Sequence, residues 1–384
     1  MTVPSHLPFA PESSHSRSLG ALLARLLLGL ALLSGGGAAA WFTVSRDLQP
    51  GLTATDTVQA VPLGSAHALR AELTTDRGGL SVMELPASSA NSATQAARLQ
   101  AHHRQFNPLQ MEGKQQGSTL TLRAQLLVDP APAPNTLNLQ PGGQPVEHQL
   151  TAGLSAALPL DLSTHSGGGD QALDLRRLRL RSLTAVSRSG DQRVMLPARS
   201  LQGVDLSSRS GTMNLTAAGG TALDSLKMES TSGELQANLS GAQVTQLSVG
   251  SQAGDIQVQL PRRVNAVLSS ERGDLDVTLP AGASGQLHLN TERGSTSLNL
   301  PENTAFRLSF PELGPAQARA HAAQLPSSLT FTDGAYLSPA ARQASGNVPL
   351  LDIELELPAG ADLTLNLRPA SASDAAAAEG DTQP

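Results

Sequence analysis

Apolar and polar residues alternate with a period of two through the middle of the chain, and a glycine interrupts the alternation at nearly constant intervals. The stretches SQAGDIQVQLP (251–261), SSERGDLDVTLP (269–280) and NTERGSTSLNLP (290–301) are variants of one pattern. Aligned on its turn glycine, the pattern recurs at Gly169, Gly190, Gly211, Gly233, Gly254, Gly273 and Gly294, with spacings of 21, 21, 22, 21, 19 and 21 residues. At the positions seven and five before the glycine and two, four and six after it, 31 of 35 residues are apolar. At the positions between them, six and four before and three and five after, only 4 of 28 are. A period of two marks a strand with one face buried, and self-similarity at a period of about twenty residues marks stacked repeats. Each unit therefore predicts two short strands around a glycine turn, too small to bury its own apolar face without a neighbour.

Three residues before each glycine stands a hydroxyl: Ser166, Ser187, Ser208, Ser230, Ser251, Ser270 or Thr291. A hydroxyl first and a glycine fourth is a turn preference, the side chain bonding the backbone and the glycine accepting φ > 0. The glycines are thus expected to serve geometry, Gly254 among them at positive φ. Pro197, Pro261, Pro280 and Pro301, each seven residues after its glycine, end the second strand where no donor is needed. Both a β-solenoid and a meander of hairpins satisfy this pattern. Near-identical repetition favours the solenoid, because like positions then stack into columns. The expected fold is all-β: a single-stranded β-solenoid, or β-helix, of coils of about 21 residues. Its regular repeats occupy 151–301, preceded by irregular coils with insertions over 45–150 and followed by closing coils over 302–368.

Composition narrows the chemistry. Of 384 residues 2% are aromatic and 15% charged, so the core must be aliphatic and thin. The formal charge of −6, without a basic stripe, argues against nucleic acid as a partner. The absence of cysteine excludes disulfides, thiolate metal sites and a cysteine nucleophile. Residues 26–44, LLLGLALLSGGGAAAWFTV, carry no charge and follow Arg17 and Arg25. Nineteen such residues suffice to cross a hydrocarbon core of ~30 Å at ~1.5 Å per helical residue. Residues 18–44 are therefore expected to be a transmembrane anchor or a signal segment. Trp41 and the long leader favour an uncleaved anchor, whereas Ala38-Ala39-Ala40 resembles a cleavage site. The arginines favour a cytoplasmic N-terminus, placing the bulk of the chain outside the cytoplasm. Residues 1–17 and 369–384 are polar or Ala/Pro-rich and read as disordered.

The run GGGDQALDLRRLRLRSLTAVSRSGDQRVMLP (167–197), followed by repeated S-x-x-G-D-x-x-V-x-L-P, resembles the toastrack-type family of adhesin-like bacterial domains of unknown function. The resemblance runs from Leu69 to Leu367. ALRAELTTDRGGLSVMEL looks like a first, irregular coil at Gly78, and LLDIELELPAGADLTLNL like a closing one. Members resemble membrane-anchored proteins of Lia-type envelope-stress systems, which implies a single-pass membrane protein beside a membrane stress-sensing partner. No catalytic residue is implied. The chain departs from the pattern in a Gln/Ala/His-rich insertion, 87–105, and a Pro-rich stretch, 129–145.

The search for reactive side chains returns little. Asp161, Ser163 and His165 share a strand face but stand ~6.6 Å apart per step, too far for a relay that needs contacts of ~3 Å. His102 and His103 lack a partner at metal-ligand spacing. Asp170, Asp191, Glu234, Asp255 and Asp274 follow their glycines in an acidic column, which Thr212 and Ser295 interrupt and which is expected to stabilise the turns rather than bind Ca²⁺. On the outward positions after the glycine only Asp174 and Asp276 are acidic and only Arg193 basic, which argues against a lyase or hydrolase. Those positions instead form a possible ligand face of amides and hydroxyls, Asn214, Gln236 and Gln257 in one column and Asn238, Gln259, Thr278 and Asn299 in the other. Amide ladders also stabilise stacked strands by themselves.

The expected function is a non-enzymatic, cofactor-free interaction or sensing module of the cell envelope. It is anchored through the N-terminal helix and faces a membrane stress-sensing protein or a cell-wall polymer; the alternative is a secreted adhesion or polysaccharide-binding protein. One outcome follows from the seven-fold register alone. Residues 162–300 should survive limited proteolysis as one block while both tails are removed, read by mass spectrometry of the fragments; early cutting at the glycine turns would mean loosely strung hairpins.

Overall fold

The computed structural model describes residues 54–86, 94–105, 107–128, 147–311, 313, 321, 325–343, 350–358 and 361–369. The apolar segment 26–44, the leader and the tail after 369 lie outside the described residues; among those described, no helix is long and apolar enough to cross a membrane. The strands form two sheets, one of twelve and one of fourteen. A coil consists of a long strand in the larger sheet, the glycine corner, a short strand in the smaller sheet, and a second corner leading to the next long strand. The chain thus passes from Ala222–Ser232 through Gly233 to Leu235–Asn238, then from Gln243–Ala253 through Gly254 to Ile256–Gln259.

Successive coils pair in parallel and in register. Leu226 stands opposite Leu247, which stands opposite Ala266, and Leu235 opposite Ile256 and then Leu275. Parallel neighbours are incompatible with a meander of hairpins, and the strand path is that of a β-solenoid. All five inward positions of all seven coils, 35 residues, are buried. The four polar ones among them are paired. The Thr164 hydroxyl donates to Gln171 Oε1 at 2.8 Å, and Gln171 Nε2 donates to the Val186 carbonyl at 2.8 Å. Gln192 Nε2 reaches the Ser207 carbonyl at 3.0 Å, and the Thr291 and Thr296 hydroxyls meet at 3.1 Å. Such pairing avoids most of the penalty of burying polar groups, Gln192 Oε1 being the atom of these four side chains left without a partner.

The unequal repeat lengths have a structural cause. In four consecutive coils an extra residue enters the long strand, so that two outward residues separate two buried ones: Arg181-Ser182, Gln202-Gly203, Asp224-Ser225 and Thr245-Gln246. The pairing shifts between Leu180 and Ser182, where this column of β-bulges begins. In the strand Arg263–Ser270 the bulge is gone, since only Asn265 separates buried Val264 from buried Ala266. The corner before it is also one residue shorter, three residues between Leu260 and Val264 against four between Leu239 and Val244. The two deletions together give the spacing of 19 in place of 21.

At the glycine corner the reason for glycine is close approach. A Cβ on Gly190 would lie 2.5 Å from the Gly169 carbonyl oxygen, and one on Gly169 would lie 2.7 Å from that of Gly78. The same encounter with the preceding glycine recurs at Gly211, Gly233, Gly254, Gly273 and Gly294, so the corner is a continuous pile of backbone. Gly190 and Gly211 also adopt φ of 102° and 103°. Gly254, expected at positive φ, is not among the positive-φ glycines. Its constraint is steric alone, a Cβ there lying 2.7 Å from the Gly233 carbonyl carbon.

The coils follow chain order through the seven repeats but not at the ends. The first coil, Ala68–Thr75 with Gly79–Glu84, is sandwiched between the second, Thr119–Leu126 with Gln149–Leu154, and the third, Pro159–Ser166 with Gln171–Asp174. The segment 87–105, expected as an insertion, contributes the strand Gln95–Arg104, which pairs antiparallel with Gln149–Leu154 and with the edge strand Ala54–Pro62. Its alternation buries Ala97, Leu99 and Ala101, so it belongs to the core. At the other end the closing coil's long strand, Leu351–Glu356, slots between the Gly294 coil and the strand Phe306–Ser309, while its short strand, Leu363–Arg368, pairs with Thr296–Pro301 and forms the edge of the smaller sheet. Phe306, Phe310 and Tyr336 plug this end, drawing on the few aromatics the chain has.

Gly254→Ala should destabilise by about 1–3 kcal/mol through overpacking, with Gly254→Val worse, whereas Gln257→Val on the exposed face should stay within about 0.5 kcal/mol. Thermal melts check this, and equal shifts for the two sites would remove the close-approach account.

Candidate functional site

Three outward surfaces carry the polar residues, and each is a set of columns with one residue per coil. On the short-strand sheet, Asn214, Gln236, Gln257 and Asp276 stand in one register column, and Asn238, Gln259, Thr278 and Asn299 in the other. Many of these amides are already engaged. Asn214 Nδ2 donates to Gln236 Oε1 at 3.0 Å, and Gln236 Nε2 to Glu234 at 2.8 Å. Asn366 Nδ2 donates to Asn299 Oδ1 at 3.0 Å, and Asn299 Nδ2 to Asp276 at 2.7 Å. Asn238 Oδ1 accepts from Ser240. These bonds tie one coil to the next or a side chain to its own corner, and exposed Gln257 and Gln259 are the largest amides that present a face to solvent.

The acidic column beside the glycines is a second set of cross-coil ties. Asp170 Oδ1 accepts the backbone N–H of Asp191 at 2.9 Å, Asp191 that of Thr212 at 2.9 Å, Asp255 that of Asp274 at 2.9 Å, and Asp274 that of Ser295 at 2.8 Å. The carboxylates are thus spent on the stack. Inside the corner, the buried hydroxyls of Ser166 and Ser270 donate to the carbonyls of Gly169 and Gly273 at 3.0 and 3.2 Å. Among the described residues no group of three or more His, Asp or Glu could hold a metal ion. His102 Nδ1 lies 2.8 Å from Asp56, and His103 Nε2 2.8 Å from the Thr57 hydroxyl, both at the N-terminal edge.

The third surface was not foreseen. Where the bulges bend the long strands, the outer face of the larger sheet becomes concave, since an extra residue on one strand kinks it and re-aims its side chains. The result is a trough that crosses the coils along the stacking direction, in two adjoining parts of about 620 and 540 Å³ that share Ser182 and Thr184. One wall is the column Ser182, Gly203, Ser225 and Gln246. The other is Thr184, Asp205, Lys227 and Ser248. The carbonyls of the bulge residues are taken up by side chains of the next coil, that of Thr245 by Asn265 Nδ2 at 3.1 Å. The signal was present in the sequence as the order apolar, polar, polar, apolar at 180–183, 201–204, 223–226 and 244–247.

Among the described residues, four of the six charges that line the trough are paired and two, Arg70 and Asp205, are not. Arg181 clasps Asp161 with both its Nε and Nη2, Ser182 Oγ donates to Asp161 at 3.0 Å, Lys227 sits 2.8 Å from Glu229, and Arg123 2.7 Å from Glu72. Asp161 therefore faces Arg181 instead of Ser163 and His165, which point outward on the same strand. Burial pushes its carboxyl up, but the bonds from Arg181 and Ser182, with the charges of Arg181 and Arg70, outweigh that and hold it below the usual carboxylate range.

Residues 141–310 match the family model Toastrack DUF4097. The match spans under half of the chain, and over it the chain is similar to a toastrack domain. Two solved structures are similar: a putative cell adhesion protein from Clostridium sporogenes, 9% identical over 82% of this chain and 99% of its own, with a TM-score of 0.22, and a putative adhesin from Bacteroides fragilis, 10% identical over 83% and 99%, with a TM-score of 0.37. No curated protein matches the chain.

The depressed Asp161 carboxyl fixes a pH dependence. Its folded pKa lies below the unfolded value of ~3.9, so its contribution to stability is present above that value and lost as pH falls through the folded pKa. Asp161→Asn should lower the melting temperature at pH 7, and the gap to the parent protein should shrink as both are melted below about pH 4. A gap that stays constant down to pH 2 would show that the carboxylate's charge plays no part.

Proposed function

We propose that the protein is a non-enzymatic, adhesin-like interaction module of the cell envelope. Segment 18–44 anchors it, and the outer faces of the solenoid meet a cell-wall polymer or a membrane stress-sensing partner. The observation that carries this reading is the trough, which repeats one shallow geometry from coil to coil instead of converging reactive groups on a point. Such a surface suits holding an extended partner, as solenoid surfaces do. The pairing of Arg181 and Lys227 with carboxylates leaves Arg70 as the unpaired cation of the trough lining, too little for a nucleic-acid or anionic-polymer partner, which would require several free cations. The small-residue run Ala38-Ala39-Ala40 before Trp41 supports a second reading, in which the leader is cleaved and the protein is a secreted polysaccharide-binding adhesin.

Cell fractionation with N-terminal mass analysis separates the two. The anchored reading expects an intact N-terminus in the membrane fraction and release of the protein when residues 18–44 are deleted; a mature chain beginning at Trp41 in the medium would establish the second. Failure of the purified full chain to sediment with isolated cell wall, or to capture any membrane protein from its own envelope, would overturn the interaction reading itself.

A further inference from the structure

The trough has a chemistry that selects among extended partners. Its floor is strand backbone whose N–H and C=O groups are consumed by the neighbouring coils, so it offers no edge on which a peptide could add a strand. Recognition has to come from the two walls, which place a polar side chain on each side at every coil except at Gly203. The hydroxyls and amides of Ser182, Ser225, Gln246, Thr184 and Ser248 both donate and accept, which suits a partner that does the same. Successive coils repeat every ~4.7–4.9 Å, whereas an extended peptide advances ~3.3 Å per residue and falls out of step with the walls. A β-linked pyranose ring occupies close to one such interval and carries hydroxyls on both edges. The charges that line the trough balance, Arg70, Arg181 and Lys227 against Glu72, Asp161 and Asp205, so the trough complements a polymer without net charge.

We propose that this trough is a binding site for a neutral, β-linked glycan strand lying along the stacking direction, one sugar to each coil. This inference rests on the interaction-module reading and names its ligand. No aromatic ring lines the trough for a sugar to stack on, so each coil contributes a weak, hydrogen-bonded increment and affinity grows with the number of coils engaged. Gly203 leaves room for the Ser225 hydroxyl, since a Cβ there would lie 2.9 Å from Ser225 Oγ.

The test is calorimetric titration of the full chain in detergent with β-1,4-linked N-acetylglucosamine oligomers of two to six units. Affinity should rise by at least about tenfold from the shortest to the longest and level off once the four bulged coils are spanned. The combined variant Thr184→Val, Gln246→Leu, Ser248→Ala should lose at least about tenfold in hexamer affinity at an unchanged melting temperature. If the triple variant melts early, Thr184→Val and Ser248→Ala taken singly provide the same readout with smaller losses. The variant Gln257→Glu, Gln259→Glu on the opposite sheet should bind as the parent does. Affinity independent of length, full binding by a stable trough variant, or loss caused by the opposite-face variant would each overturn the proposal. Binding to isolated cell wall without binding to any oligomer would sink the glycan trough but leave the interaction module standing; absence of both would sink both.

Discussion

The stack depends on how closely the backbone of one coil approaches that of the next at the glycine corner. There a glycine rests on the carbonyl of the preceding glycine with no room for a Cβ between them, and this contact repeats from Gly78 to Gly294. Parallel pairing tolerates no local widening, because a corner held apart by one methyl would pull both flanking strands out of hydrogen-bond range. The other columns follow from that tight corner. The buried hydroxyls of Ser166 and Ser270 bond the carbonyls of the turn, the aspartates accept the next coil's N–H, and the inward aliphatic residues meet across a core thin enough for Leu, Val and Ala to fill.

The bulge column works against this uniformity and gives the solenoid its one concave face. It costs an unpaired residue in each of four strands, and the molecule compensates with side chains that reach across coils, Arg181 to Asp161 at one end and Asn265 to the Thr245 carbonyl at the other. The bulges stop where the repeat shortens to 19 residues, so the length of the bulge column is written into the spacing of the glycines.

The inward face was fully legible in the sequence. A period of two leaves no ambiguity about which side of a strand is wet, and every position assigned inward in the seven repeats is buried. The glycines were legible as corners, but their physical reason was not, because a sequence does not show what lies above a residue; Gly254 needs empty space rather than an unusual φ. The bulges were missed because the alternation was counted from seven residues before the glycine, and Thr245-Gln246 lie just outside that window. The interleaved ends were beyond pattern reading altogether. The alternation in Thr119–Leu126 and in Pro159–Ser166 fixes the face of each strand but not which of them sits on which edge of Ala68–Thr75, and both do.

That interleaving decides how such a molecule can change length over generations. Because the first coil is clamped by the second and third, and the long strand of the closing coil is wedged between the Gly294 coil and Phe306–Ser309, a duplicated unit inserted beside either would have to displace a long strand already paired on both sides. Only the interior, where each neighbour in space is also a neighbour in sequence, can absorb or lose a unit by in-frame duplication or deletion. Size variants should therefore share identical ends and differ by whole multiples of one repeat between them.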